Sequence, residues 1–136
     1  MTGFYANTVN FGGGTLPCSG AINTAIAKYT ADGTHLWSHC FDGMSGGVTS
    51  EAIAMDSSGN VLVTGHFRGT VDFDGQTLSS VWGLEDIVIA KYSSNGGLQW
   101  VNNLGGTNAD KALGITSDSA GNVVITGLYA ANDIVL

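Results

Sequence analysis

The chain repeats itself, and this constrains its fold more than any other feature. Ala25 to Trp37 (AIAKYTADGTHLW) returns as Val88 to Trp100 (VIAKYSSNGGLQW), shifted by 63 residues with six of thirteen positions identical. Asp56 to Gly65 (DSSGNVLVTG) returns as Asp118 to Gly127 (DSAGNVVITG), shifted by 62 with seven of ten identical. Thr8 to Leu16 (TVNFGGGTL) matches Thr70 to Leu78 (TVDFDGQTL), again shifted by 62. Self-similarity at such a period means that one supersecondary unit buries its apolar face only against its neighbours.

Turn chemistry divides the unit into strands. Asp86 to Ser93 is rich in β-branched and aromatic residues, meets Asn95-Gly96, and continues as Gly97 to Asn103. Asp32-Gly33 holds the same place in the earlier copy, so both are read as two-residue hairpin turns with positive φ at each central residue. Ala112 to Asp118 turns through Ser119-Ala120-Gly121 into Asn122 to Tyr129, with Gly121 and its counterpart Gly59 at the left-handed position of a three-residue loop. Each unit is thus two hairpins, and no segment has helical periodicity. The fold class is all-β: β-propeller blades of four antiparallel strands, about two blades per chain. Residues 1–47 are expected to form a partial blade (its last strands), 48–107 a complete blade, and 108–136 a partial blade (its first strands). On this count the complete unit is flanked by a lone hairpin at the start, Thr24 to Cys40, and another at the end, Ala112 to Tyr129.

The Asp118-to-Gly127 segment, the Asp86-to-Tyr92 strand and the Gly97-to-Trp100 strand together resemble the bacterial SBBP repeat, a seven-bladed β-propeller family. Thr70-Val71-Asp72-Phe73 also resembles an insertion common in that family between the second and third strands. The resemblance implies a module of a secreted or surface-exposed bacterial protein and no particular reaction. An extracellular or cell-surface location rests on that resemblance alone.

Composition narrows the partners. Hydrophobic residues make up 43% and charged residues 11% of the 136, which excludes a disordered or coiled-coil chain. Four basic against eleven acidic residues give a net charge of −7, and Lys28, Arg68, Lys91 and Lys111 do not make the basic stripe that nucleic acid needs. The same deficit weighs against anionic membranes. The first residues lack a signal-peptide pattern, which leaves the compartment open because a signal would lie upstream if the repeat continues there. Cys18 and Cys40 occupy different positions in the repeat, so pairing and two idle thiols both remain open.

Candidate chemistry is sparse. Gly43-Met44-Ser45-Gly46-Gly47 satisfies the G-x-S-x-G pattern but lies between strands with no helix after it, so a flexible connection is the better reading. His35 and His39 have helical metal-site spacing on a strand, where four residues span roughly 13 Å and one metal cannot hold both. Asp72 and Asp74 beside Gly75 faintly resemble a calcium loop without its further oxygen ligands, so a solvated turn is preferred. Asp56 and Asp118 recur where a carboxylate caps its own turn. Trp37 and Trp100 are equivalent and are expected to be buried between blades with equal weight, whereas Trp82 lies on a loop where an aromatic ring suits sugar stacking.

The expected function is therefore a non-enzymatic propeller module, with no cofactor and no metal. Its expected partners are a second copy of itself, completing shared blades in a closed ring, and a glycan or protein. A carbohydrate-binding propeller using Trp82, Asp72 and Asp74 is the alternative. A propeller hydrolase or lyase would need acids converging on the channel, where only Glu51, Asp110 and Lys111 lie near the start of an innermost strand.

Overall fold

The computed structural model describes residues 2–5, 8–18, 23–81 and 84–130, and all statements below concern these. Every strand pairing is antiparallel, and the described residues contain no α-helix. The central sheet is one four-stranded meander: β6 (Gly47–Met55), β7 (Val61–Arg68), β10 (Glu85–Tyr92) and β11 (Leu98–Leu104) lie side by side in chain order. Its second strand, β7, is buried from Val61 to Phe67 on both faces. That explains its almost continuous apolar run, because alternation is lost when neighbouring sheets cover both sides of a strand.

The preceding sheet contains β1 (Thr2–Tyr5), β4 (Asn23–Tyr29) and β5 (His35–Gly43). The following sheet is β12 (Lys111–Ser117) with β13 (Val123–Leu128). A first correction concerns the start of the chain. The expected lone hairpin has a third strand, since β1 pairs with β4 through Gly3↔Ala25 and its neighbours. Thr2-Gly3-Phe4-Tyr5 is a copy of Thr64-Gly65-His66-Phe67, so β1 is the second strand of a blade. The fold is thus an array of antiparallel propeller blades, one of them with all four strands.

The inserted segment does something that no local pattern announces. It forms a hairpin of β8 (Thr70–Phe73) and β9 (Gln76–Ser79), and β8 pairs with β5 of the preceding sheet through Phe41↔Phe73 and Asp42↔Asp72. The insertion of the complete blade therefore extends its neighbour's sheet, in the order β1-β4-β5-β8-β9. The rings of Phe41 and Phe73 lie 4.8 Å apart, tilted by 40°, and one apolar cluster joins Ile26, Phe41 and Phe73 of the first sheet to Val48, Phe67 and Tyr92 of the second. The first copy of the insertion, β2 (Val9–Asn10) with β3 (Thr15–Leu16), keeps the same internal register as a separate two-stranded sheet.

The turns require a second correction. Gly33 and Gly96 have positive φ, but Asp32 and Asn95 do not; Asp74 is the one described non-glycine residue that does. Both connections are instead three-residue loops: Gly33 N–H donates to Thr30 O at 3.1 Å, and Thr30 N–H to Thr34 O at 2.9 Å. Ser93, Gly96 and Gly97 repeat this pattern. The Asp-Gly turn with two positive φ values is Asp74-Gly75, at the tip of β8–β9. A three-residue loop also matches the left-handed residue at Gly59 (φ 76°) and Gly121 (φ 86°), as the sequence predicts.

Cys18 and Cys40 are joined in a disulfide with a Cα–Cα distance of 6.2 Å, tying the segment after β3 to β5. This resolves the alternative that the sequence leaves open.

Candidate functional site

The tryptophans sit at the joins between sheets, but neither is fully buried, contrary to expectation. Trp37 lies half-buried on β5, stacks on Tyr92 at 6.1 Å, and donates from Nε1 to Ser94 O at 3.2 Å. Gly96 passes directly over it, where a Cβ would fall 2.9 Å from the indole. Trp100, its equivalent on β11, borders a cavity of about 480 Å³ with Val123 and Ile125 of β13. The second sheet covers Trp37 with Tyr92 of its third strand and the turn that follows, whereas Trp100 faces Val123 and Ile125 of a second strand across the cavity. The two residues therefore have unequal surroundings, despite equal places in the repeat.

The histidines on β5 have separate partners. His35 Nε2 lies 3.2 Å from Ser38 Oγ, whereas His39 Nδ1 lies 3.0 Å from Asp74 Oδ2 and its ring stacks on Tyr92 at 5.0 Å. Asp72 accepts the Gly75 N–H at 2.9 Å, closing the β8–β9 turn. Asp72, Asp74 and Asp42 line one cavity of about 320 Å³ beside Pro17 and the disulfide. Trp82, the third expected ligand-binding residue, lies outside the described residues. Asp56 and Asp118 cap their turns: each Oδ1 accepts two backbone N–H groups and each Oδ2 accepts the Nδ2–H of Asn60 or Asn122. These bonds, joined at Asp56 by the Lys91 ammonium, hold both carboxyls below the usual range, the Asn contact contributing most. The Gly43–Gly47 connection is likewise structural, its Ser45 Oγ accepting the Thr70 N–H at 3.0 Å.

The strongest convergence of polar chemistry lies elsewhere, at the join of the second and third sheets. His66 on β7 has Nδ1 3.6 Å from Glu51 Oε1 of β6 and Nε2 3.9 Å from Glu85 Oε1 of β10. Lys111, opening β12, reaches Glu85 Oε2 at 2.8 Å. Arg68, Ser45 and Thr49 join His66 and Glu85 around a cavity of about 460 Å³. His66 is only 9% exposed and its Nδ1 makes no hydrogen bond. Desolvation, then the charge of Lys111, lowers its pKa, and the two glutamates oppose this in part. The Lys111 hydrogen bond holds the Glu85 carboxyl below its usual range. A neutral imidazole is thus held between two carboxylates.

Sequence reading brings Glu51 and Lys111 to this region but misses His66 and Glu85. Asp110, expected beside them, is buried and structural, accepting the Gly106 and Ala130 N–H groups at 3.2 and 3.0 Å. The missing signal is a difference between copies. Where this cluster has His66, Glu51 and Glu85, the matching positions of the repeat hold Phe4 or Leu128, Leu113, and Ile22 or Asn132. Two polar replacements of apolar repeat positions, His66 and Glu51, meet Glu85 at one place.

A scan against models of known protein families finds no match. Among curated proteins the chain is similar to an uncharacterized WD repeat-containing protein of Acanthamoeba polyphaga mimivirus, 29% identical over 134 residues. The match covers 94% of this chain and spans 9% of the length of the viral protein. Sheet architecture and this distant likeness agree on a β-propeller-type repeat.

Proposed function

We propose that the chain is a non-enzymatic β-propeller segment, serving as a structural or interaction module of a secreted or surface-exposed protein and assembling with further blades into a closed ring. The observation that carries this reading is the four-stranded blade packed on both sides by partial blades, with polar groups engaged mainly in turns and sheet joins. The Cys18–Cys40 disulfide supports an oxidising compartment. A bacterial source has only the SBBP resemblance behind it. The His66 groove is the binding face on this reading, because its polar groups are specific to one copy and lie at a join of blades.

Restoring the repeat's own residues tests the groove. The variant His66→Leu with Glu51→Leu should fold at least as well as the parent chain. Thermal shifts with a panel of monosaccharides, dicarboxylates and amino acids should then occur in the parent only. Equal shifts in both proteins would remove the groove as the binding face.

Carbohydrate binding at Asp72 and Asp74 is the second reading, favoured by their opening onto one cavity. Calorimetric titration with a sugar panel checks it, and no heat at millimolar sugar would remove it. Turnover of glycosidase or lyase substrates that is lost in Glu51→Gln would replace both readings with a catalytic one.

A further inference from the structure

We propose that the groove beside His66 binds a free α-amino acid, its ammonium group seated between His66 and Glu85 and its carboxylate on Arg68. The inference rests on the reading of this groove as the binding face and names its ligand.

The argument starts from what a neutral imidazole can satisfy. It has one N–H to donate and one lone pair with which to accept. His66 has a carboxylate on each side, Glu51 Oε1 at 3.6 Å from Nδ1 and Glu85 Oε1 at 3.9 Å from Nε2. One proton cannot face both. Nδ1 is buried and makes no hydrogen bond, so the gap on the Glu51 side admits no other group and takes the N–H. Nε2 is left as an acceptor, facing a carboxylate that is also an acceptor. A group bearing several donors would turn that repulsion into two hydrogen bonds, one of them charge-assisted.

The Glu85 side of the ring is where such a group can enter. His66 and Glu85 both line the cavity of about 460 Å³, with Thr49, Ser45 and Arg68. A volume of this order is ordinary for a small-ligand site. Thr49 pairs with His66 across the β6–β7 ladder, which sets the two side chains on one face. A primary ammonium has three N–H groups, and Glu85 Oε1, His66 Nε2 and the Thr49 hydroxyl oxygen supply three acceptors. Glu85 stays ionised in this role: the Lys111 ammonium bonds its Oε2 at 2.8 Å, holding the carboxyl below its usual range and leaving Oε1 toward His66.

The ligand's second charge is met on the same strand pair. Arg68 lies opposite Glu85 in the β7–β10 ladder and lines the same cavity. Opposed residues have Cβ atoms about 5 Å apart, a spacing that suits two charges carried on one α-carbon. Ser45 Oγ accepts the Thr70 N–H and keeps its own proton to donate to a carboxylate. The cavity wall thus offers one acid and one base. A ligand with a single charge would desolvate one of them without matching it, whereas a zwitterion matches both.

Matched ligands test this. The standard L-amino acids are screened on the intact chain by thermal shift. The best binder is then compared by calorimetry with the amine lacking its carboxyl group and the acid lacking its amino group. Each analogue should bind at least about tenfold more weakly, because each forfeits a charged contact. Glu85→Gln and Thr49→Val should each weaken the amino acid about tenfold. Thr49→Val keeps the side-chain shape and the Lys111–Glu85 pair, so its loss is not one of folding. An analogue as tight as the amino acid, or unchanged affinity in Thr49→Val, would overturn the assignment. A monosaccharide or dicarboxylate that binds where no amino acid does, in the parent and not in His66→Leu with Glu51→Leu, would overturn the amino acid and leave the groove standing. If no compound distinguishes the parent from that variant, both fall.

Discussion

Gly65→Ala is the sharpest single perturbation of the blade. A Cβ at Gly65 would stand 1.9 Å from Thr49 O and 2.9 Å from the Ser50 Cα, both backbone atoms of the adjacent inner strand. The cause is a bulge: the β6–β7 register steps between Ser50 and Ala52, leaving Glu51 extra and pressing the inner strand toward β7. A Cβ at Gly127 would stand 2.0 Å from Lys111 O for the same reason, with Leu113 as the extra residue. Reaching ordinary van der Waals contact requires about 1.5 Å of backbone movement in a strand clamped between β6 and β10. Losing two ladder hydrogen bonds at about 1 kcal/mol each, plus local packing, amounts to about 3 kcal/mol. For a chain of this length that lowers Tm by about 10 °C. Gly127→Ala should cost less, about 1–2 kcal/mol, because β13 has one described neighbour and can move away. Urea melts of both variants beside Gly59→Ala, expected at about 1 kcal/mol from its left-handed φ, provide the scale. A Gly65→Ala loss below about 1 kcal/mol, or no larger than that of Gly59→Ala, would refute the bulge argument.

The remaining expectations concern the joins and the buried groups. Trp37→Ala should destabilise by about 3 kcal/mol and Trp100→Ala by about half as much, measured as urea midpoints at a concentration where the chain is monomeric; equal losses would mean that the two surroundings are energetically alike. Reducing Cys18–Cys40, which closes a loop with sequence separation 22, should cost about 3 kcal/mol in the chain-entropy account, read as the melt with and without reductant. His66 is held neutral with its pKa below the ordinary value of about 6.5. The unfolded chain therefore binds the proton first as pH falls, and stability should decline from just above pH 6.5 down to the folded pKa. His66→Leu should remove that slope in melts across pH 5 to 8, and an unchanged slope would assign it to another group.

The sequence by itself determined the hairpins, their apolar faces and the four-strand unit, because these depend on local turn chemistry and on a period that the chain states more than once. Gly59 and Gly121 were legible for that reason, as were the carboxylate caps at Asp56 and Asp118. The two-residue turns were misassigned because Asp-Gly and Asn-Gly suit both loop lengths, and only the pairing of the flanking strands chooses between them. The tertiary structure alone decided where the β8–β9 hairpin goes. Its pairing with β5 of the preceding sheet is long-range, and β-pairing carries no sequence code beyond a compatible pattern. It also decided that the thiols meet, that Trp37 packs against the core cluster while Trp100 borders a cavity, and that His66, Glu51, Glu85 and Lys111 converge from β6, β7, β10 and β12. A repeat specifies what each blade is made of; the contacts between blades depend on which copy faces which, and that is settled only when the sheets pack.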